Sequence, residues 1–88
     1  MIEASADRFK RLKMRSWRRG MKEMDLILGP FADARIASLS EAELALYERM
    51  LGENDQDLYR WVTGQSEAPP EIAAMIRVIA GHAGVARV

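Results

Sequence analysis

The sequence predicts an all-α fold, a single compact five-helix domain, and three observations carry that prediction. Apolar residues recur at helical spacing in one segment after another. Residues that start and stop helices bracket those segments, and no stretch alternates apolar and polar residues between hairpin turns. With 88 residues, 49% of them hydrophobic, the chain has enough apolar surface for one core and too little for two. The domain is expected over residues 1–81, with a flexible tail at residues 82–88.

Helix one is expected from Ser5, an N-cap residue type, through Phe9, Leu12 and Trp17. Met21, Met24, Ile27 and Leu28 follow Gly20 and outline a second helix. It should be short, because Gly29 can take a left-handed conformation and Pro30 cannot continue a helix. In "LSEAEL", Ser40 and Glu43 form a capping box and Leu39 can staple onto Leu44, so helix three starts there and runs to Gly52. Asn54 or Asp55 caps helix four, about two turns long, with Asp57 in its first turn, Leu58, Trp61 and Val62 inward, and Gly64 as its stop. Pro69 and Pro70 set the start of helix five, Glu71 suits its first turn, and Gly81 is expected to end it. Ile72, Met75, Ile76 and Ile79 then share one inward face. Tyr47, Trp61 and the methionines are read as core, whereas Trp17 borders a glycine and is less clearly so.

Composition excludes several classes of function. Without cysteine there are no disulfides, thiolate metal sites or cysteine nucleophiles. The one histidine, His82, falls in the expected tail, which is poor ground for general acid–base chemistry. Glu41 with Glu43, and Asp55 with Asp57, sit at expected helix starts, where the helix dipole accounts for them. No glycine-rich phosphate loop or dinucleotide fingerprint is present. We therefore expect no enzyme, no metal and no cofactor of the chain's own. No apolar run is long enough to span a bilayer, and "MIEASAD" does not resemble a signal peptide, so a cytoplasmic protein without a membrane partner is expected.

Net charge is zero, yet residues 1–23 hold eight Lys/Arg against three Asp/Glu, and residues 24–88 hold five against ten. Arg8, Arg11, Arg15, Arg18 and Lys22 recur every three or four positions and would line up on a continuous helix. A solvated face explains such a stripe, and a phosphate-binding or protein-binding face is the functional alternative.

The stretch "RRGMKEMD" poses the sharper question. Arg19 and Glu23 lie four apart around Gly20, but arginine before glutamate is the weaker order for an intrahelical pair. Glycine inside a helix costs about 1 kcal/mol relative to alanine, so Gly20 serves either a turn or a close backbone approach by a partner. Spacing leaves both open.

Arg19-Gly20-Met21-Lys22-Glu23 resembles the Arg-Gly-x-x-Glu signature of the FAD assembly factors of succinate dehydrogenase. Three further blocks match in order: "MDLILGPF", "LSEAELALYERML", and Asp55 to Trp61. The resemblance covers roughly residues 8–81, and "RSWRRGMKEMDLILGPFAD" is most similar to the α-proteobacterial and mitochondrial branch. It implies a five-helix chaperone that binds the flavoprotein subunit of succinate dehydrogenase, and often of fumarate reductase, and promotes covalent FAD attachment. The FAD and its linked histidine would belong to the partner. Carried over by residue, Arg19 and Glu23 would contact the flavoprotein, Gly20 would admit its backbone, and Asp25 is a weaker candidate. A monomer is expected when free. The rival expectation is a small helical nucleic-acid-binding protein that uses the basic stripe, with helices three and four as a helix-turn-helix. The acidic start of helix four opposes it. A general scaffold for another protein is the third.

Overall fold

The computed structural model describes residues 4–84. Its elements are α1 (Ser5–Trp17), α2 (Lys22–Arg35), a 3-10 turn (Ile36–Ser38), α3 (Glu41–Leu51), α4 (Asp55–Val62) and α5 (Pro70–Ala83). The five helices and the absence of strands among the described residues match the fold class read from the sequence. A radius of gyration of 12.3 Å agrees with the value of about 12 Å for a packed chain of this length.

The start of α3 forms as the sequence dictates. The Glu43 amide donates to Ser40 Oγ at 3.1 Å, and the Ser40 amide donates to Glu43 Oε1 at 2.8 Å. Asn54, and not Asp55, caps α4, its Oδ1 accepting from the Gln56 amide at 2.8 Å. Pro70 occupies the first turn of α5, where its missing amide costs no helical bond.

Three boundaries differ from expectation. Ala4, not Ser5, is the N-cap of α1, with no side-chain capping bond. Helix α2 continues through Pro30 to Arg35, because Leu28, Phe31 and Ala32 are all buried on its inner side and their burial outweighs the one helical bond that proline forfeits. Gly29 is helical and does not terminate anything. At the other end, α5 runs past Gly81 to Ala83 and closes at Gly84, whose φ is +67°. His82 is thus in the last turn of α5, its ring edge-on to Phe31 with centroids 5.5 Å apart. The remainder of the expected tail, residues 85–88, lies outside the described residues, as do residues 1–3 of "MIEASAD".

Helix α2 is the hub, packing on α1, α4 and α5, while α3 packs on α5 and α1. Met24, Leu28 and Phe31 from α2 meet Leu12 of α1, Tyr47 and Met50 of α3, Leu58 and Val62 of α4, and Ile72, Ile76 and Ile79 of α5 in one buried cluster. Trp61 is only partly buried and packs at the edge of that cluster. Ser16 is the one buried polar residue among those described. Its hydroxyl donates to the Leu12 carbonyl at 2.8 Å and lies 2.7 Å from the Tyr47 hydroxyl, so both polar groups are satisfied inside the core.

Candidate functional site

The signature residues lie in the elbow between α1 and α2. After Trp17 the chain leaves the helix, Gly20 takes φ +95°, and Met21 is extended before α2 begins at Lys22. A Cβ on Gly20 would meet nothing within 4 Å. The glycine is therefore required by backbone conformation and not by packing, which makes it the turn residue. It also leaves bare, solvent-exposed backbone at the bend.

Arg19 points inward. Its side chain is only 9% exposed, and Nε donates to Asp55 Oδ1 at 2.7 Å. Nη2 donates to the Glu53 carbonyl at 2.7 Å, and Nη1 donates to the Leu51 carbonyl. One planar guanidinium thus joins the last residue of α3, the α3–α4 loop and the first turn of α4. A cation at the carboxyl end of α3 also faces the negative end of that helix dipole. The Arg19 amide donates to Asp25 Oδ1 at 2.7 Å, so Asp25 closes the elbow from below.

Glu23 differs from both. It lies in the first turn of α2, is exposed, and forms no hydrogen bond or ion pair with any described residue. Of the four candidate site residues, Gly20 and Glu23 open to solvent, whereas Arg19 and Asp25 hold the bend. The structure brings Arg19 to Asp55 and not to Glu23. Sequence reading gave Asp55 as a helix-start acid and as the first residue of the block Asp55 to Trp61; nothing in its spacing points to a partner 36 positions earlier.

Behind the elbow, Trp17 lies against Gly29. A Cβ on Gly29 would fall 2.3 Å from ring atoms of Trp17, and the indole Nε1–H donates to Asp33 Oδ2 at 3.1 Å. Gly29 and Asp33 are four apart, on one face of α2, so the indole is held by a flat backbone surface and one carboxylate. This packing is why Gly29 is glycine inside a helix.

The expected basic stripe divides. Arg8 pairs with Glu41 at 2.6 Å and Glu48 at 3.6 Å, and Arg11 pairs with Glu48 at 2.9 Å, tying α1 to α3. The hydrogen bond from Arg11 holds the Glu48 carboxyl below its ordinary range, and the one to Glu41 raises Arg8 further. Arg18 and Lys22 remain exposed. α4 begins with Asp55 and Asp57, an acidic face where a recognition helix would meet nucleic acid. No group of three or more His, Asp or Glu among the described residues is placed to hold a metal ion, and no helix is long and apolar enough to cross a membrane.

Residues 10–83 match the protein family described as flavinator of succinate dehydrogenase. A mitochondrial succinate dehydrogenase assembly factor 2 of Dictyostelium discoideum is 36% identical over 73 residues, 83% of this chain and 52% of that protein. The FAD assembly factor SdhE of Haemophilus ducreyi is 44% identical over 63 residues, 70% of this chain and 77% of that protein. Its counterpart in Pseudomonas putida is 40% identical over 63 residues, 70% of this chain and 75% of that protein. The chain spans about half the length of the Dictyostelium relative and about three quarters of each bacterial one. The matched span contains the elbow, α2, α1 from Lys10 onward and the α3–α4 loop that Arg19 grips, and on that match the chain belongs to the family of flavinators of succinate dehydrogenase.

Proposed function

We propose that this chain is an assembly factor that binds the flavoprotein subunit of succinate dehydrogenase and promotes its covalent attachment of FAD. The observation that carries the proposal is the family match over residues 10–83, which spans an elbow presenting bare backbone at Gly20 beside the unpaired carboxylate of Glu23. Such a pair suits a polar protein surface, because a carboxylate accepts charge-assisted hydrogen bonds and glycine lets another backbone come close. Arg19 and Asp25 serve the same contact from beneath, by fixing the turn that presents it. The chaperone supplies no chemistry in this reading. FAD and the histidine it joins belong to the partner, and docking favours the partner conformation in which they are aligned. A fumarate reductase flavoprotein is a second partner of the same kind, and a cytoplasmic monomer in its free state fits the role. The nucleic-acid reading loses ground, because two bases of the stripe are spent on α3.

The test is co-expression with the succinate dehydrogenase flavoprotein of the same host, under conditions where attachment is limiting, with flavin fluorescence read on denatured protein. More covalent flavin in the presence of the chain is expected. Equal flavin with and without it would overturn the role. Glu23→Ala should lose the effect while its unfolding midpoint stays that of the parent.

A further inference from the structure

Helix α1 has two faces of different character. Arg8, Arg11, Leu12 and Ser16 turn toward α3 and the core. Lys10, Lys13, Met14, Trp17 and Arg18, with Phe9 at the edge, line a shallow concavity on the opposite side. These positions follow helical spacing and form one stripe. Met14 is 46% exposed and Trp17 39%, and a third exposed apolar side chain, Leu26 at 57%, lies one turn before Gly29 on α2. Among the described residues only Val78 of the large exposed apolar side chains lies elsewhere. Lys10, Lys13 and Arg18 form no ion pair with any described residue. The fold thus keeps an apolar strip flanked by three cations unpaired among the described residues, while Arg8 and Arg11 on the other side of α1 are matched with α3.

We propose that this outer face of α1 is a docking surface for an acidic segment of a protein partner that also carries an apolar side chain, which would seat beside Met14 and Trp17. Charge complementarity selects the sign of the occupant, since Lys10, Lys13 and Arg18 outnumber the exposed carboxylates beside this face, Asp7 on α1 and Asp33 on α2. Rigidity selects a protein over a lipid surface. The Trp17 ring is flat against Gly29 and hydrogen-bonded to Asp33, so it cannot swing outward into an interface without breaking that bond. The strip ends at Arg18, one residue before the elbow, so a partner seated on Gly20 and Glu23 continues onto it without a gap. The inference therefore rests on the proposed flavoprotein partner, and enlarges its footprint from the elbow to the length of α1.

The experiment measures affinity of the full chain for the purified succinate dehydrogenase flavoprotein by titration calorimetry. The parent is compared with the triple variant Lys10→Glu, Lys13→Glu, Arg18→Glu and with Met14→Glu, and the unfolding midpoint of each is recorded. Weakening of about tenfold or more in both variants, with unfolding midpoints within a few degrees of the parent, is the expected result. Parent and variants binding equally would overturn the docking surface and leave the partner standing. No binding by the parent would overturn both. Vesicles containing phosphatidylglycerol provide the last arm: partitioning of the parent that the triple variant abolishes would overturn the protein occupant in favour of a lipid surface.

Discussion

Arg19 and Asp55 meet at 2.7 Å across 36 positions of sequence, with 9% and 16% of their side chains exposed. The arginine of the signature is thereby a tie between the elbow and the α3–α4 loop. An exposed pair contributes little, but removing one partner of a largely buried, hydrogen-bonded pair leaves the other charge stranded.

Arg19→Ala should therefore destabilise the fold by about 2–3 kcal/mol in urea unfolding. Arg19→Lys should recover only a small part, since an ammonium cannot reach a carboxylate and two carbonyls in one plane. Asp55→Asn should cost less than Arg19→Ala, because both carbonyl contacts survive it. A double-mutant cycle of Arg19→Ala with Asp55→Ala should show clear coupling. If Arg19→Ala left the unfolding midpoint unchanged while abolishing partner binding, Arg19 would be a contact residue and the tie would be incidental. Glu23→Ala, with no partner to lose among the described residues, supplies the contrasting case.

Gly29 and Trp17 give a second test. Helix propensity alone says that Gly29→Ala stabilises α2 by about 1 kcal/mol. The added methyl would instead lie 2.3 Å from the Trp17 ring, and overpacking of that kind costs about 1–3 kcal/mol. We expect net destabilisation in the parent and net stabilisation in a Trp17→Ala background, read as unfolding midpoints. The reversal of sign is the diagnostic; the same sign in both backgrounds would mean that the indole moves aside freely.

Much of this fold was legible in the chain because its local signals agree with its packing. Ser40 with Glu43 specifies a helix start through short-range bonds and Pro70 through its fixed φ, and the structure uses both. "GP" at residues 29–30 misleads for the opposite reason. Its local meaning is a helix stop, but Gly29 is small for the sake of a tryptophan 12 positions away, and burial of Phe31 and Ala32 carries the helix through Pro30. The elbow was half legible. Gly20 could be read as turn or contact, and its positive φ identifies the turn. That Arg19 reaches inward could not be read, because its three acceptors, two of them backbone carbonyls, are set by how α3 ends and carry no signature of side-chain type.

Pro30 yields the third prediction. It sits in the interior of α2 and is exposed, so Pro30→Ala restores an amide that can donate to the Leu26 carbonyl without disturbing the core. Stability should rise by about 1 kcal/mol, less than the roughly 3 kcal/mol of a peptide helix because the packed helix already accommodates the ring. A fall in the unfolding midpoint would show that proline acts mainly by restricting the unfolded chain.

The fourth prediction concerns alkaline pH. Burial of the Tyr47 hydroxyl pushes its pKa up to about 12, against an opposing effect of the hydrogen bond with Ser16. The unfolded chain ionises this tyrosine near 10.0, so the folded state holds the proton more tightly. Below pH 10 both states are protonated and the full contribution is present; between pH 10 and about 12 only the unfolded state ionises, and stability falls. Two pKa units correspond to a loss of about 2 kcal/mol by pH 12. Tyr47→Phe removes the proton altogether. It should cost about 1 kcal/mol at pH 7, where the bond to Ser16 is lost, and should flatten the decline above pH 10, so that the two stability curves converge and cross. Urea unfolding at intervals from pH 7 to 12 reads both, and since the lysines and Tyr59 are common to the two proteins, their difference isolates Tyr47. Parallel curves over the whole range would mean that Tyr47 ionises alike in folded and unfolded chains, and that the Ser16–Tyr47 contact at the centre of the core is open to water.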